Sequence, residues 1–421
     1  MQMTIEIEKC SRVSGALKAP PSKSMAHRLL ICALLADGKS TIRNLAMSED
    51  ILATIGCIKA LGAETSLTAE EGGDTYTITV SRTAGSDSRS AQITGIPELN
   101  CRESGSTLRF FIPVVLSLSG SAVFTGSRRL FERSVSVYEE LATEKGFSIT
   151  KSPCGISASG SLKGGVYTVP GGVSSQFISG LLFALPLAEE DSVIKITPPL
   201  ESASYIGLTV KALYDFGIKT EKQNELTYLI NGGQKYHARD ISVEGDYSNA
   251  AFFEAFNYIG GDVRLTGLSE SSLQGDKVFR DIFKKLKAGE TDPISIADCP
   301  DLGPILFALS AALYGGRFTD TRRLKIKESD RAAAMKAELE KFGCPVTVGE
   351  NDVIIGTPGK KTPLSKPRLA LDGHNDHRIV MSLAVLASVT GGVINGAEAV
   401  SKSMPDFFKR LESLGLEIKY V

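Results

Sequence analysis

A sixfold internal repeat limits what this chain can fold into more than any other feature. Gly38-Lys39-Ser40-Thr41-Ile42-Arg43-Asn44-Leu45 alternates like a strand, and a helical pattern follows it to Leu61-Gly62. The plan recurs from Gly120-Ser121-Ala122-Val123-Phe124-Thr125-Gly126 to Gly146, and from Asp191-Ser192-Val193-Ile194-Lys195-Ile196 to Gly217. Further copies run from Gly261-Asp262-Val263-Arg264-Leu265 to Leu286, from Gly316-Arg317-Phe318-Thr319 to Gly343, and from Gly392-Val393-Ile394-Asn395 to Gly415. They lie roughly 55 to 80 residues apart, too far for a solenoid of small repeats, and the helical patterns close on glycine as a C-terminal cap. Alternating runs such as Thr75-Tyr76-Thr77-Ile78-Thr79-Val80 and Val353-Ile354-Ile355 then read as hairpin strands. A chain of 421 residues is too long for one ordinary core, so the expectation is two domains with three units each around a helical core.

The totals exclude several function classes. A net charge of -1 gives no general attraction to nucleic acid or acidic membranes, so anion binding must come from local placement of Lys and Arg. No apolar run approaches a membrane span. The alternating, acid-bearing Met1-Gln2-Met3-Thr4-Ile5-Glu6-Ile7-Glu8 reads as a strand and neither as a signal nor as a transit peptide. Cys10, Cys32, Cys57, Cys101, Cys154, Cys299 and Cys344 are scattered with no C-x-x-C pair, which points to reduced, mostly buried thiols in a cytoplasmic setting and against a zinc cage. His374 and His377 are three apart, but Gly373 and Asn375 favour a loop and no third ligand accompanies them, so no metal site is expected.

Chemistry is suggested first by Pro20-Pro21-Ser22-Lys23-Ser24-Met25-Ala26-His27-Arg28. The prolines rule out a helix before Ser22, and a serine is a good cap for one starting there. Lys23 and Arg28 then fall near the first turn, where cations are disfavoured by the helix dipole unless an anion is present. Three more stretches are rich in glycine, serine or proline: Arg102 to Arg109, Pro170 to Phe177 and Asp298 to Pro304. Small residues before a helix leave backbone N–H groups free to meet an anion. Cations stand beside glycines, acids or hydroxyls at Lys23, Arg28, Arg133, Lys327, Arg331, Arg378 and Lys402; converging, they would form a pocket for phosphate and carboxylate groups. The signals of nucleotide hydrolysis, dinucleotide redox chemistry and the serine nucleophile elbow are absent. Asp301 and Glu328 are the candidate acid and base, and a carboxylate beside Lys327 and Arg331 is ionised unless burial or bound anions raise its pKa.

Pro21-Ser22-Lys23-Ser24 with Arg28, Ser174-Ser175-Gln176, Lys327-Glu328-Ser329-Asp330-Arg331 and Asn375-Asp376-His377-Arg378 occur in this order. They closely resemble the signature segments of the EPSP synthase (3-phosphoshikimate 1-carboxyvinyltransferase) family, and the resemblance runs through the whole chain to Lys402-Ser403-Met404-Pro405-Asp406. It implies an α/β fold of two domains, each of three β-α-β-α-β-β units around a helical core, an inside-out α/β barrel of the enolpyruvyl transferase kind. The domains would span 21–244 and 1–20 plus 245–421, with the active site in the cleft between them. The implied reaction moves the enolpyruvyl group of phosphoenolpyruvate to the 5-hydroxyl of 3-phosphoshikimate through a tetrahedral intermediate, without cofactor or metal, in a cytoplasmic monomer whose family is the target of glyphosate.

The resemblance also implies roles. Lys23, Ser24, Arg28, Ser174, Ser175, Gln176, Ser202, Tyr205, Asp301 and Lys327 would hold 3-phosphoshikimate. Lys23, Gly105, Arg133, Gln176, Arg331, His377, Arg378 and Lys402 would hold phosphoenolpyruvate. Asp301 would take the hydroxyl proton, Glu328 would exchange a proton with the methylene carbon, and Lys23 would reach both substrates. The chain departs from the family at Glu103, where a neutral amide is usual, and at Arg323, where asparagine is frequent. The related UDP-N-acetylglucosamine enolpyruvyl transferase has Asn after the motif lysine where this chain has Ser24, and its loop does not match the residues around Cys101. An RNA 3′-phosphate cyclase would need an adenylylated histidine and a nucleotide. A non-catalytic anion-binding relative would be expected to lose Asp301 or Glu328, and both are present.

Overall fold

Six helices of this protein carry apolar residues on every face rather than along one stripe, the pattern of a helix buried all round. They are α1 (Lys23–Leu35), α2 (Gly105–Leu118), α3 (Ser175–Ala184), α4 (Tyr247–Glu254), α5 (Gly303–Ala312) and α6 (His377–Thr390). The computed structural model describes residues 3–10, 12–82, 95–152 and 155–421, so Met1, Gln2 and Cys154 lie outside the described residues. Two compact units divide the chain, Lys23–Glu244 and Met1–Ser22 with Gly245–Val421. The first holds α1 to α3 and the second α4 to α6, each around its own apolar core.

The repeat takes the same form in sheet after sheet. Glu98–Asn100 runs parallel to Ser121–Thr125, which pairs antiparallel with Gly155–Ser159, and that strand with Ser148–Ser152. Gly165–Pro170, Ser192–Thr197, Thr227–Ile230 and Thr220–Asn224 repeat this order. So do Ile294–Ser295, Gly316–Thr319, Asp352–Ile355 and Val346–Val348 in the second unit. In each case a buried helix (α2, α3 or α5) joins the two parallel strands, and the hairpin follows an outer helix.

The N-terminal strands complete the remaining sheets of the second unit. Thr4–Ile7 lies between Gly392–Asn395 and Ile418–Tyr420, and Ser14–Lys18 runs parallel to Asp262–Thr266. Each link between the units falls between a strand and the buried helix that follows it. Ser14–Lys18 stays in the second unit while α1 belongs to the first. Asp240–Ser242 pairs with the first unit's Ala36–Leu45, while α4 belongs to the second. The linking segments meet at an antiparallel bridge from Pro21 to Gly245, with Asp246 N–H donating to the Pro20 carbonyl at 2.7 Å.

The expected glycine caps are present after the outer helices. Gly62, Gly146, Gly217, Gly289, Gly343 and Gly415 all have φ between 73° and 88°. At Gly62 the following N–H reaches back to Ile58 O at 3.0 Å, the longer bond of a Schellman cap. Buried helices need other devices. Pro113 cannot donate to the Arg109 carbonyl one turn back, and the Tyr138 hydroxyl donates to that oxygen at 2.7 Å instead. A Cβ at Gly180 would strike this hydroxyl, so the contact of α2 with α3 requires glycine there.

Two glycines test these roles with opposite signs. Gly146→Ala forces a left-handed conformation on alanine in open space and should lower unfolding stability by about 1 kcal/mol. Gly56→Ala, exposed within the helix Glu49–Ala60 with nothing within 4 Å, should raise it by about 0.5–1 kcal/mol. Urea midpoints moving in the same direction would reject the assignment.

Candidate active site

In the first unit the residues singled out from sequence lie mainly at helix N-termini, where backbone N–H groups lack intrahelical partners. Lys23 opens α1, and its ammonium sits 2.8 Å from the Asp50 carboxylate, so an internal acid supplies the counter-charge that the helix start requires. Arg28 is buried and spans from α1 to the outer helix Ala203–Asp215. It donates to the Ser24 carbonyl at 2.6 Å, Thr209 Oγ1 at 2.8 Å and the Tyr205 carbonyl at 2.9 Å. Burial pulls its guanidinium pKa down to about 10. Ser202 precedes that helix in a left-handed conformation (φ 58°) and is buried.

A second group joins α2 and α3. Ser104 caps α2 by accepting from the Thr107 N–H at 3.2 Å. A Cβ on Gly105 would lie 2.7 Å from the guanidinium carbon of Arg133, so Arg133 rests directly on the bare backbone of the helix start. Gln176 donates to Ser106 at 2.9 Å and accepts from Arg109 at 2.6 Å, while Ser174 caps α3 by accepting from the Gln176 N–H at 3.3 Å. Ser175 is the first residue of α3 and is buried. Beneath Gly105 runs a buried chain from His27 to Thr54 (2.7 Å), Thr107 (2.8 Å) and Ser104 (2.7 Å). Burial, then Lys23 and Arg28, push the His27 pKa well below the ordinary histidine value, so the ring is neutral. Arg109, Asp50 and this chain were not among the residues found from sequence, because only tertiary packing brings them to the site.

The second unit gathers the other candidates into one ionic net. Asp301, in a tight turn leading into α5, receives Arg331 at 2.9 Å, Lys327 at 3.1 Å and Arg378 at 3.1 Å. Arg331 opens the helix Arg331–Lys341, is 1% exposed, and also binds Glu328 at 2.7 Å and Asp376 at 2.8 Å. Asp376 caps α6 through the Arg378 N–H at 2.9 Å and accepts from Ser329 at 3.0 Å. The cations are therefore matched by carboxylates, not left as the purely cationic pocket that their clustering in sequence suggests. Lys402 donates to the Asn375 carbonyl at 2.7 Å. His377 is buried, its ring nitrogen 3.8 Å from Asp376, whereas His374 stands in a left-handed turn and meets Glu338 at 3.0 Å. Among the described residues no group of three or more His, Cys, Asp or Glu is placed to hold a metal ion.

These contacts set the protonation states. Burial raises the Asp301 pKa, but Arg378, Lys327 and Arg331 outweigh it and hold the carboxyl well below its usual range. For Arg331, Asp376, Glu328 and Asp301 outweigh burial and hold the proton more firmly than usual. Lys327 is drawn down to about 8, by desolvation first and then by the like charges of Arg323 and Arg331, against the pull of Asp301.

The fold is that of enolpyruvyl transferases. Over its whole length the chain superposes on EPSP synthase from Acinetobacter baumannii with a TM-score of 0.78 at 23% identity, covering 100% of both chains. The enolpyruvyl transferase NikO from Streptomyces tendae matches at 0.76 and 15% identity, covering 100% of this chain and 99% of that one. Sequence relatives are nearer. The 3-phosphoshikimate 1-carboxyvinyltransferase of Clostridium acetobutylicum is 38% identical over 98% of both chains. That of Clostridium kluyveri is 39% identical over 97% of this chain and 96% of its own. The family model described as EPSP synthase (3-phosphoshikimate 1-carboxyvinyltransferase) matches residues 7–411. The chain belongs to the EPSP synthase family.

Asp376 is the member of the net whose loss should be most costly to the fold. Asp376→Ala leaves Arg331 short of a buried partner and uncaps α6, so unfolding stability should fall by at least about 3 kcal/mol in denaturant titration. A loss under 1 kcal/mol would show that Glu328 and Asp301 suffice for Arg331.

Proposed function

We propose that both groups of residues serve one reaction, with each side chain in the role its family motif implies. The chain is a transferase of the shikimate pathway, on the route to chorismate and the aromatic amino acids. It moves the enolpyruvyl group of phosphoenolpyruvate to the 5-hydroxyl of 3-phosphoshikimate and releases phosphate. The reaction needs a proton delivered to the methylene carbon, a proton taken from the hydroxyl, and cations for two phosphates and two carboxylates.

The observation that carries the assignment of roles is the attachment of Asp301 and Glu328 to the same guanidinium, Arg331, while Asp301 also holds Lys327 and Arg378. Without substrate those cations keep Asp301 ionised and weakly basic. Anionic groups of phosphoenolpyruvate compete for Arg331 and Arg378, and each contact they take from Asp301 raises its basicity. Asp301 then takes the hydroxyl proton as the oxygen attacks. Glu328, released from Arg331 in the same exchange, takes up a proton from solvent and gives it to the methylene carbon. It recovers one from the resulting methyl group, and the proton held by Asp301 leaves on the phosphate.

From the first unit, Lys23, Ser24 and Arg28 hold 3-phosphoshikimate with Gln176 and Tyr205. Its phosphate lies at Ser174, Ser175 and Ser202, and Lys327 is a further ligand. Lys23, Gly105, Arg133, Gln176, Arg331, His377, Arg378 and Lys402 hold phosphoenolpyruvate. The bare backbone at Gly105 supports this, because it lets the Arg133 guanidinium stand against the helix start, where the cation and the free N–H groups can meet one anion. The chain works as a cytoplasmic monomer in this reading. Its buried free cysteines (Cys32, Cys57, Cys101, Cys299 and Cys344) suit a reducing compartment, and no helix among the described residues is long and apolar enough to cross a membrane.

Phosphate release from phosphoenolpyruvate should require 3-phosphoshikimate and should not occur with UDP-N-acetylglucosamine. Glu328→Gln should lower turnover by a factor on the order of a hundred or more with substrate binding largely kept. Unchanged turnover would remove Glu328 from proton transfer. Lys327 adds a pH dependence. Its amine gives up its proton at about 8, so kcat/KM for 3-phosphoshikimate should fall as pH rises through that value. In Lys327→Arg, which stays protonated, this limb should vanish; its persistence would assign it to another group.

A further inference from the structure

The buried chain beneath Gly105 takes no part in the roles above, yet it ties the start of α2 to α1. His27 follows Lys23 by one helical turn on α1, and Thr54 follows Asp50 by one turn on the helix Glu49–Ala60. These helices therefore meet in two successive rungs, Lys23 to Asp50 at 2.8 Å and His27 Nδ1 to Thr54 Oγ1 at 2.7 Å. From Thr54 the chain crosses to Thr107 Oγ1, in the first turn of α2, at 2.8 Å. Thr107 Oγ1 in turn donates to Ser104 Oγ at 2.7 Å, and Ser104 is the cap of α2 and the residue before Gly105. His27, Thr54, Thr107 and Ser104 are all buried.

The chain has one direction. A hydroxyl has a single proton to give and two lone pairs. Thr107 spends its proton on Ser104, so it accepts from Thr54. Thr54 then has none left for His27 and accepts from it, which puts the imidazole proton on Nδ1. Nε2 agrees with this, being buried with no hydrogen-bond partner among the described residues, so that a second proton there would be an unpaired buried charge.

We infer that His27 is a positioning residue for phosphoenolpyruvate. Its Nδ1–H orders the chain, and the ordered chain fixes the Ser104 cap and with it the Gly105 backbone against which Arg133 rests. Without that proton the Thr54 hydroxyl is free to turn to a carbonyl of its own helix, and the tie from α1 to the start of α2 is broken. Apolar groups of the same shape would hold the fold about as well, so what the chain contributes is orientation at the helix start.

The inference rests on the reading of Gly105 as part of the phosphoenolpyruvate site, and the experiment separates the two. The amide nitrogen of an asparagine can stand close to where histidine carries Nδ1, and that of a glutamine close to Nε2. His27→Asn therefore keeps a donor for Thr54, while His27→Gln and His27→Leu remove it. In the latter two, KM for phosphoenolpyruvate should rise about fivefold, the size of one neutral hydrogen bond, with KM for 3-phosphoshikimate little changed. His27→Asn should leave both KM values close to those of the unaltered chain. Thr54→Val keeps the shape and removes the hydroxyl. It should reproduce the selective rise, and combined with His27→Leu it should be no worse than the larger single effect. If the His27 variants do not fold, Thr54→Val carries the test. Nitrogen-15 spectra of the imidazoles should show the His27 ring, identified by its loss in His27→Asn, as the Nδ1–H tautomer at pH 7. An equal rise in both KM values, a lowered melting temperature with both KM values unchanged, His27→Asn as damaging as His27→Leu, additive effects or an Nε2–H tautomer would overturn the inference. Gly105→Ala drives a Cβ into the Arg133 guanidinium. If that change leaves KM for phosphoenolpyruvate unaltered, the reading of Gly105 fails. If it raises that KM while His27→Leu and Thr54→Val do not, the inference alone fails.

Discussion

A helix buried on every side has only its two ends left to meet water or a ligand, and six such helices make up the core of this protein. Apart from the Arg109 carbonyl opposite Pro113, their backbone bonds are satisfied internally except in the first and last turns. The N-terminal ends carry free N–H groups and a partial positive charge, and a candidate site residue lies at each of them. Lys23, Gly105 and Ser175 open α1, α2 and α3. Ser248 lies in the first turn of α4, Asp301 leads into α5, and Arg378 follows the cap of α6. Burial and the presentation of helix starts are thus two results of the same packing, because the apolar faces fix the helices and the fixed helices present their ends.

In the second unit this arrangement has a further electrostatic consequence. Three cations, two of them at helix starts, would repel one another if they stood alone, and Asp301, Glu328 and Asp376 neutralise them within hydrogen-bonding distance. The net is balanced at rest, so an arriving anion must displace a carboxylate from a cation rather than fill an empty positive hole. In the proposed reaction, displacement would return basicity to the carboxylate it frees and so couple binding to proton transfer.

Local signals made much of this legible in the sequence. The glycines from Gly62 to Gly415 mark helix ends because left-handed backbone favours a residue without Cβ, and strand alternation needs only neighbours in the chain. The motif residues could be named for the same reason, each segment being short and continuous. What the sequence did not reveal depends on contacts between distant segments. Ser14–Lys18 shows no alternation of burial, and its pairing with Asp262–Thr266 has no local mark. The answer of Tyr138 to the carbonyl freed by Pro113 and the hold of Arg109 on Gln176 both arise from packing. Asp376 stood inside a recognised motif, but its partnership with the buried Arg331 crosses from one helix start to another.

The crossed links between strand and helix also fix an order of events on the ribosome. Residues Lys23–Glu244 contain every strand their own sheets require, so that unit can close while the rest of the chain is still being made. Thr4–Ile7 and Ser14–Lys18 emerge before it, yet their partners at Asp262–Thr266, Gly392–Asn395 and Ile418–Tyr420 all come after it. At ordinary elongation rates Thr4–Ile7 waits on the order of tens of seconds for its neighbours. During that wait Ile5 and Ile7, fully buried in the finished protein, have only Glu6 and Glu8 beside them to keep the nascent segment from sticking to other chains.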